Sequence, residues 1–322
     1  MGTQMTQKKK IRYDFINEKS YLIFFFLRHL RSYFFSFNIA MKILVTGATG
    51  FLGNYLINDL LTHGIEVIAT SRSEDKARTC NWFPQVEYVP FDINDSEKTD
   101  VDLFQYFKLP DKLIHLAWEG LPNYKELFHI ERNLIPNYYF LKRMIEGGLK
   151  DITVTGTCFE YGMQSGCLSE SSPSDPQNPY AIAKDSLRRF ITVLNAKEQF
   201  SFKWVRLFYM YGKGQSDKSL FTQLEKAVAN GDKEFNMSGG EQIRDFLSVE
   251  EVVTNIRKIA LTNANIGIIN CCSGKPQTVK SFVENYLSSK GKSIKLNLGY
   301  YPYPDYEPME FWGDASKLNK LI

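Results

Sequence analysis

The sequence predicts an α/β protein: a doubly wound parallel sheet followed by a smaller C-terminal lobe. Three observations carry that reading. From Met41 onward, short β-branched runs alternate with helical patterns at the spacing that parallel crossovers require. The first of these runs ends in a glycine turn that opens a helix. The chain of 322 residues, 43% hydrophobic and 23% charged, is large enough for such a domain and is neither disordered nor collagenous in composition.

Lys42–Thr46 (KILVT) is the first strand, and Gly47-Ala48-Thr49-Gly50-Phe51-Leu52-Gly53 is the turn after it. Leu52, Leu56, Ile57, Leu60 and Leu61 then recur at helical spacing up to Gly64, and Glu66–Thr70 (EVIAT) is the second strand. Gly47 allows the tight turn, Gly50 lets the backbone approach a pyrophosphate, and Gly53 lets the helix pack close to the strand. The free N–H groups at the helix start would hold that pyrophosphate, with Thr49, Phe51 and Leu52 beside it. A dinucleotide is the expected ligand. A carboxylate about 20 residues past the turn would select NAD; here the chain reads Ser71-Arg72-Ser73. Arg72 suits a 2′-phosphate, so NADP(H) is favoured and NAD(H) is the alternative, with Glu74 and Asp75 softening the preference.

Val86–Phe91 is a third strand running to Asp92 and Ile93, which are expected at the adenine. Leu113–Ala117 (LIHLA) is a fourth, with Leu116 and Ala117 expected to touch the cofactor. A helix around Asn133–Glu146 and a fifth strand, Ile152–Thr155, come next. Ligands in such sheets gather at the carboxyl ends of the strands, which directs attention to the loops after strands one, four and five.

The loop after the fifth strand reads Thr155-Gly156-Thr157-Cys158-Phe159-Glu160-Tyr161-Gly162, and Asn178-Pro179-Tyr180-Ala181-Ile182-Ala183-Lys184 follows. Pro179 opens a helix, so Tyr180 and Lys184 share one face at i and i+4. A phenol is a poor acid–base catalyst at neutral pH, and an ammonium one turn away stabilises its phenolate. Tyr180 could then exchange a proton with a carbonyl or alcohol oxygen, Lys184 could also hold a nicotinamide ribose, and Thr157 could orient the same oxygen.

Taken together, Thr46–Gly53 (T-G-x-x-G-x-x-G), His115-Leu116-Ala117-Trp118, the Thr157–Gly162 loop and Tyr180-x-x-x-Lys184 resemble the extended short-chain dehydrogenase/reductases. These are NAD(P)-dependent epimerases, dehydratases and reductases of nucleotide sugars. The resemblance runs from Met41 to about Leu318 and implies a Rossmann-type domain over 41–205 and a mainly substrate-binding lobe over 206–322, with 248–272 returning to the main sheet. It implies a nucleotide-diphosphate sugar as partner, a homodimer and a cytoplasmic location. Arg206–Gly212 resembles the strand and loop entering the sugar site. Gly240–Phe246 resembles the R-D-F segment, which places Arg244 at the substrate diphosphate. Trp118, Cys158, Phe159 and Tyr209 fall at the sugar, although Tyr209 stands where many relatives have Asn.

Departures from the family pattern narrow the reaction. The 4,6-dehydratases follow their threonine with an Asp-Glu pair; Cys158 and Phe159 stand there instead. Fucose-type epimerase-reductases place a cysteine two residues before the loop tyrosine, whereas Cys158 is three before Tyr161. Reduction of a 4-keto group needs only Thr157, Tyr180, Lys184 and the nicotinamide. The expected activity is therefore reduction of a nucleotide-linked 4-keto-6-deoxyhexose, as in forming dTDP-fucose for surface polysaccharides. A 4-epimerase with retained NAD and a non-catalytic nucleotide-binding protein are the alternatives.

The charge balance excludes other classes. Residues 1–40 carry a net +5 out of a total of +3, so the remaining 282 residues sit at −2 and nucleic-acid binding has no support. The aromatic run Tyr21–Leu27 is too short to span a bilayer and lacks a signal-peptide pattern. Met1–Thr6 matches a myristoylation pattern by letters, and a basic aromatic helix on a membrane surface is a second option. The favoured reading is a poorly ordered extension ahead of Met41. Five cysteines without C-x-x-C spacing speak for a reducing compartment, with neither a disulfide framework nor a metal site. His63 and His129 have no partner motif and are read as structural.

Overall fold

The computed structural model describes residues 41–322, so the expectations for residues 1–40 lie outside the described residues. Seven parallel strands form the main sheet: β1 (Lys42–Thr46), β2 (Glu66–Thr70), β3 (Glu87–Tyr88), β4 (Lys112–His115), β5 (Asp151–Thr157), β6 (Ser201–Leu207) and β7 (Gly267–Cys271). Their order is β7-β6-β5-β4-β1-β2-β3. The order of strand addition reverses at β1, whose neighbours are β2 and β4, and this creates the crevice outside the strand ends where such sheets bind ligands.

Burial on both faces explains why the strands read as continuous apolar runs. Ile43 and Val45 of β1 turn to one face, packing with Leu56 and Ile57 of α1 (Phe51–Thr62) and Val252 and Ile256 of α4 (Val249–Leu261). Leu44 turns to the other, with Phe140 and Leu141 of α2 (Ile135–Glu146) and Leu187 and Ile191 of α3 (Pro179–Glu198). Asp151 bonds both buried ammonium groups of Lys112 and Lys203 at 2.5 Å, tying β4, β5 and β6 together well behind the strand ends.

The smaller lobe contains a three-stranded sheet of Tyr209–Tyr211, Ile243–Ser248 and Pro276–Thr278. Two helices, Leu220–Asn230 and Val279–Ser289, bring Leu224 and Phe282 against Phe235 and Met237. Gly166–Leu168 pairs with Phe311–Gly313, joining the segment after β5 to the C-terminal region. Among the described residues no helix is long and apolar enough to cross a membrane.

Several bounds differ from the sequence expectation for local reasons. The third strand pairs only over Glu87–Tyr88, because it lies at the sheet edge with β2 alone as its neighbour. The fifth extends to Thr157, in register with Leu207, which carries the threonine out on a rigid strand. The helix expected from Asn133 begins at Ile135, after a π-helical stretch His129–Leu134 that ends just before Pro136.

Candidate active site

The loop after β1 is shaped by three close approaches. Gly47 has φ +68°, and a Cβ there would lie 2.9 Å from the Ala117 nitrogen. A Cβ on Gly53 would stand 2.4 Å from the Gly47 carbonyl oxygen, so only glycine lets α1 start this near the loop. Gly50 is the N-cap of α1 and offers no side-chain cap, which leaves the first helical N–H groups to an external acceptor. This arrangement fits the pyrophosphate of a dinucleotide. Thr49, Phe51 and Leu52 surround that helix start and are partly exposed.

Thr46 fixes the opposite wall. Its hydroxyl oxygen accepts from Leu116 N at 3.1 Å and Ala117 N at 3.2 Å, so its proton goes to His115 Nδ1, 2.9 Å away. Nε2–H of His115 then donates to Asn137 Oδ1 at 2.8 Å. Complete burial pushes the His115 imidazole down to about 3, and the ring stays neutral as this bonding requires. Asp92 accepts from Asn94 N and caps a short turn holding Ile93 at the rim. Arg72 is exposed and lies 2.9 Å from Glu119.

Thr157, Tyr180 and Lys184 come together between β5 and α3. Asn178 caps α3 by accepting from Ala181 N at 2.9 Å, with Pro179 in the first turn. This places Tyr180 and Lys184 on the buried side of the first two turns, 7% and 2% exposed. Lys184 Nζ donates to Thr155 O at 3.0 Å and stands 4.1 Å over the centre of the Trp118 ring. Burial pushes the ammonium down to about 7, against which the Glu160 carboxylate favours the charged form. Burial likewise pushes the Tyr180 phenol up; Tyr124 adds to this, and a hydrogen bond with Thr157 opposes it.

Aromatic rings enclose Tyr180: Tyr124 at 5.4 Å between centroids, His129 at 5.3 Å and Trp118 at 6.1 Å. Phe159 packs edge-on against Tyr124 and Tyr306. Cys158 is buried and its thiol is pushed well above the usual range, first by burial and then by Glu307. Its side chain lies in the same cluster as Phe159 and Tyr180.

Arg244 departs from the expectation of an arginine open to a diphosphate. Its guanidinium is 2% exposed and donates to the carbonyls of Ile243, Met309 and Pro308 at 2.8–3.0 Å, with Glu307 at 3.2 Å. The reason is the return of Pro308–Glu310 beside the Ile243–Ser248 strand, which covers the arginine with backbone acceptors. Tyr209 donates to the same Glu307. Burial lifts that carboxyl to about 7.

Two side chains packed around the site carry no sequence signal. His129 is fully buried, accepts from Trp118 Nε1 at 3.1 Å and contacts Asn123 O through Nε2 at 3.0 Å. It sits beside Tyr180 because the π-helical stretch turns it inward; no spacing motif marks it. Glu307 arrives from the far end of the chain, and only the arrangement in space reveals it. His63, by contrast, lies at the surface beside Asp59.

Comparison with known proteins sets this geometry in context. Residues 43–272 match the NAD dependent epimerase/dehydratase family. The chain is 31% identical over 274 residues to a dTDP-6-deoxy-L-talose 4-dehydrogenase (NAD(+)) of Aggregatibacter actinomycetemcomitans, covering 85% of this chain and 99% of that protein. A GDP-6-deoxy-D-talose 4-dehydrogenase of the same organism is 26% identical, covering 88% and 91%. A UDP-glucuronic acid 4-epimerase from Bacillus cereus, solved with UDP-glucuronic acid and NAD, superposes with a TM-score of 0.72 at 25% identity over 87% of this chain and 92% of that one. The glycine cradle, the tyrosine–lysine helix and this likeness over most of the chain lead to one assignment: the protein belongs to the NAD dependent epimerase/dehydratase family, the extended short-chain dehydrogenase/reductases, and is an NAD(P)-dependent enzyme of nucleotide-sugar chemistry.

Proposed function

We propose that the protein reduces the 4-keto group of a nucleotide-activated 4-keto-6-deoxyhexose. The observation that carries this reading is the side-chain cluster at Tyr180, where Thr157, Tyr180 and Lys184 meet aromatic and thiol side chains in place of an eliminating acid pair. The 4-dehydrogenase named above supports it, since reduction at C4 is that reaction run backwards. When bound, the nicotinamide supplies the hydride. Tyr180 gives its proton to the substrate's C4 oxygen, and the Lys184 ammonium stabilises the phenolate that remains. Thr157 donates a hydrogen bond to the same oxygen and holds it in place. Phe159, Tyr124 and Trp118 exclude water from the pocket, with Cys158 and Tyr209 completing the sugar side.

Cofactor form turns on Arg72. Its partner Glu119 is half-exposed, so their ion pair is weak and a 2′-phosphate can displace it. NADPH is therefore the proposed preference, although the dTDP-6-deoxy-L-talose 4-dehydrogenase and the B. cereus epimerase are named with NAD. Arg72→Ala should weaken NADPH far more than NADH in a fluorescence titration; equal losses would remove Arg72 as the discriminator.

A homodimer is the proposed assembly, supported by apolar side chains left open along α2 and α3, among them Ile135, Phe190 and Val193. The epimerase reading is favoured by the likeness to the B. cereus enzyme. NADPH deuterated at the transferring nicotinamide position separates the two: a reductase leaves one deuterium on C4 of the product, whereas an epimerase with retained NAD returns unlabelled sugar.

A further inference from the structure

Beneath the pocket lies a carboxylate that no step above uses. Glu160 is completely buried and stands on the short 3-10 turn Cys158–Tyr161. Its Oε1 accepts from the backbone N–H of Thr157 at 2.9 Å and from Trp204 Nε1 at 2.9 Å; its Oε2 accepts from Arg206 Nε at 2.8 Å. Arg188 of α3 is 3.8 Å away, itself held by Asp185. A side chain on Gly156 would stand 2.5 Å from Oε1 and 2.2 Å from Trp204 Nε1, so the strand leaves its one glycine opposite the carboxylate. Such a buried acid is tolerable only because every oxygen is paired.

The turn is a capping box. While Glu160 reaches back to the Thr157 N–H, the Thr157 hydroxyl oxygen accepts from Phe159 N at 3.3 Å. With its oxygen engaged by that donor, the hydroxyl keeps its proton for the Tyr180 side, where Thr157 and Tyr180 share a hydrogen bond.

We infer that Glu160 is a positioning residue: its carboxylate, anchored on β6 through Trp204 and Arg206, locks the Thr157 hydroxyl as a donor to the reacting oxygen. The role rests on the reduction proposed above. Glu160 does not touch the substrate and acts through Thr157. A misplacement of about 1 Å at such a group lowers turnover by about 100-fold.

Glu160→Gln tests this directly. One amide oxygen cannot serve three donors, and the amide N–H₂ meets donors on Trp204 and Arg206. Turnover should fall by about 100-fold while KM for the sugar nucleotide stays within about twofold. In a Thr157→Val background the same substitution, assayed well below pH 7 where Lys184 stays charged without help from Glu160, should produce no further fall, because the group it positions is gone. A purely structural role would lower turnover equally in both backgrounds and would overturn the inference, as would unchanged turnover. If Glu160→Gln does not fold, Glu160→Gln with Arg206→Met removes both buried charges and should show the same pattern. A second arm needs no substrate. Amide hydrogen exchange at Thr157 and Phe159 should accelerate in either variant, while Ile152–Val154 of β5 stay protected. Unaltered exchange there would overturn the positioning role even if the wild type turned over no keto-sugar, a failure that would belong to the proposed reaction alone.

Discussion

At the scale of single residues, the central claim is a division of labour among Tyr180, Lys184 and Thr157. Tyr180→Phe removes the proton donor and keeps the ring, so turnover should fall by about 10²–10⁴-fold with cofactor affinity nearly unchanged. Thr157→Val should lower turnover less, and Lys184→Met should lose both turnover and cofactor affinity. Lys184 must be charged to act. Since burial holds it down to about 7, raising the pH through that value strips its proton, and kcat/KM should decline there. A profile flat from neutrality to pH 9 would show that Lys184 keeps its proton by another means. The tyrosine–lysine pair was legible because i and i+4 share a helix face whatever surrounds them. His129, Glu307 and the partners of Glu160 were not, because Trp204 and Arg206 meet Glu160 across 44 and 46 residues of chain. No local spacing encodes such meetings.

At the scale of elements, the strand–turn–helix from Lys42 to Thr62 forms the glycine loop at the sheet's crevice, and Gly47 and Gly53 are steric requirements of its packing. Gly53→Ala tests the tightest of them. Its Cβ would press on the carbonyl oxygens of Gly47 and Ala48 at 2.4 and 2.7 Å, both backbone atoms that cannot swing aside. The loop must shift, so dinucleotide affinity should drop at least tenfold in a fluorescence titration, with a lowered Tm. Wild-type affinity in that variant would mean that α1 can retreat from the loop. Strand ends were less legible than strand cores. Thr155-Gly156-Thr157 carries no apolar signal, yet pairing with β6 keeps it extended to Thr157. The Arg244 segment shows the opposite limit. Its motif was visible, but the chain that covers it, Pro308–Glu310, lies 64 residues away and carries no mark of where it will fold back.

For the whole molecule, every group assigned to cofactor or substrate lies between Met41 and Ile322. A chain beginning at Met41 should therefore stay folded, sediment as a dimer and keep full turnover; loss of folding would show that residues 1–40 support the body. The fold class was legible in full, since alternation of strands and helices leaves a parallel sheet as the simplest solution, whereas the ring cluster of Tyr124, Phe159, Tyr209 and Tyr306 was not, because four separate segments contribute to it. The measurement that tests the account most directly is incubation of the purified protein with NADPH or NADH and each of dTDP-, CDP-, GDP- and UDP-4-keto-6-deoxyhexose, following nicotinamide absorbance and identifying the sugar formed. The account predicts stoichiometric loss of absorbance with at least one of them and a product bearing a new C4 hydroxyl. No loss with any, from protein that carries a tightly held dinucleotide and interconverts C4 epimers, would contradict it.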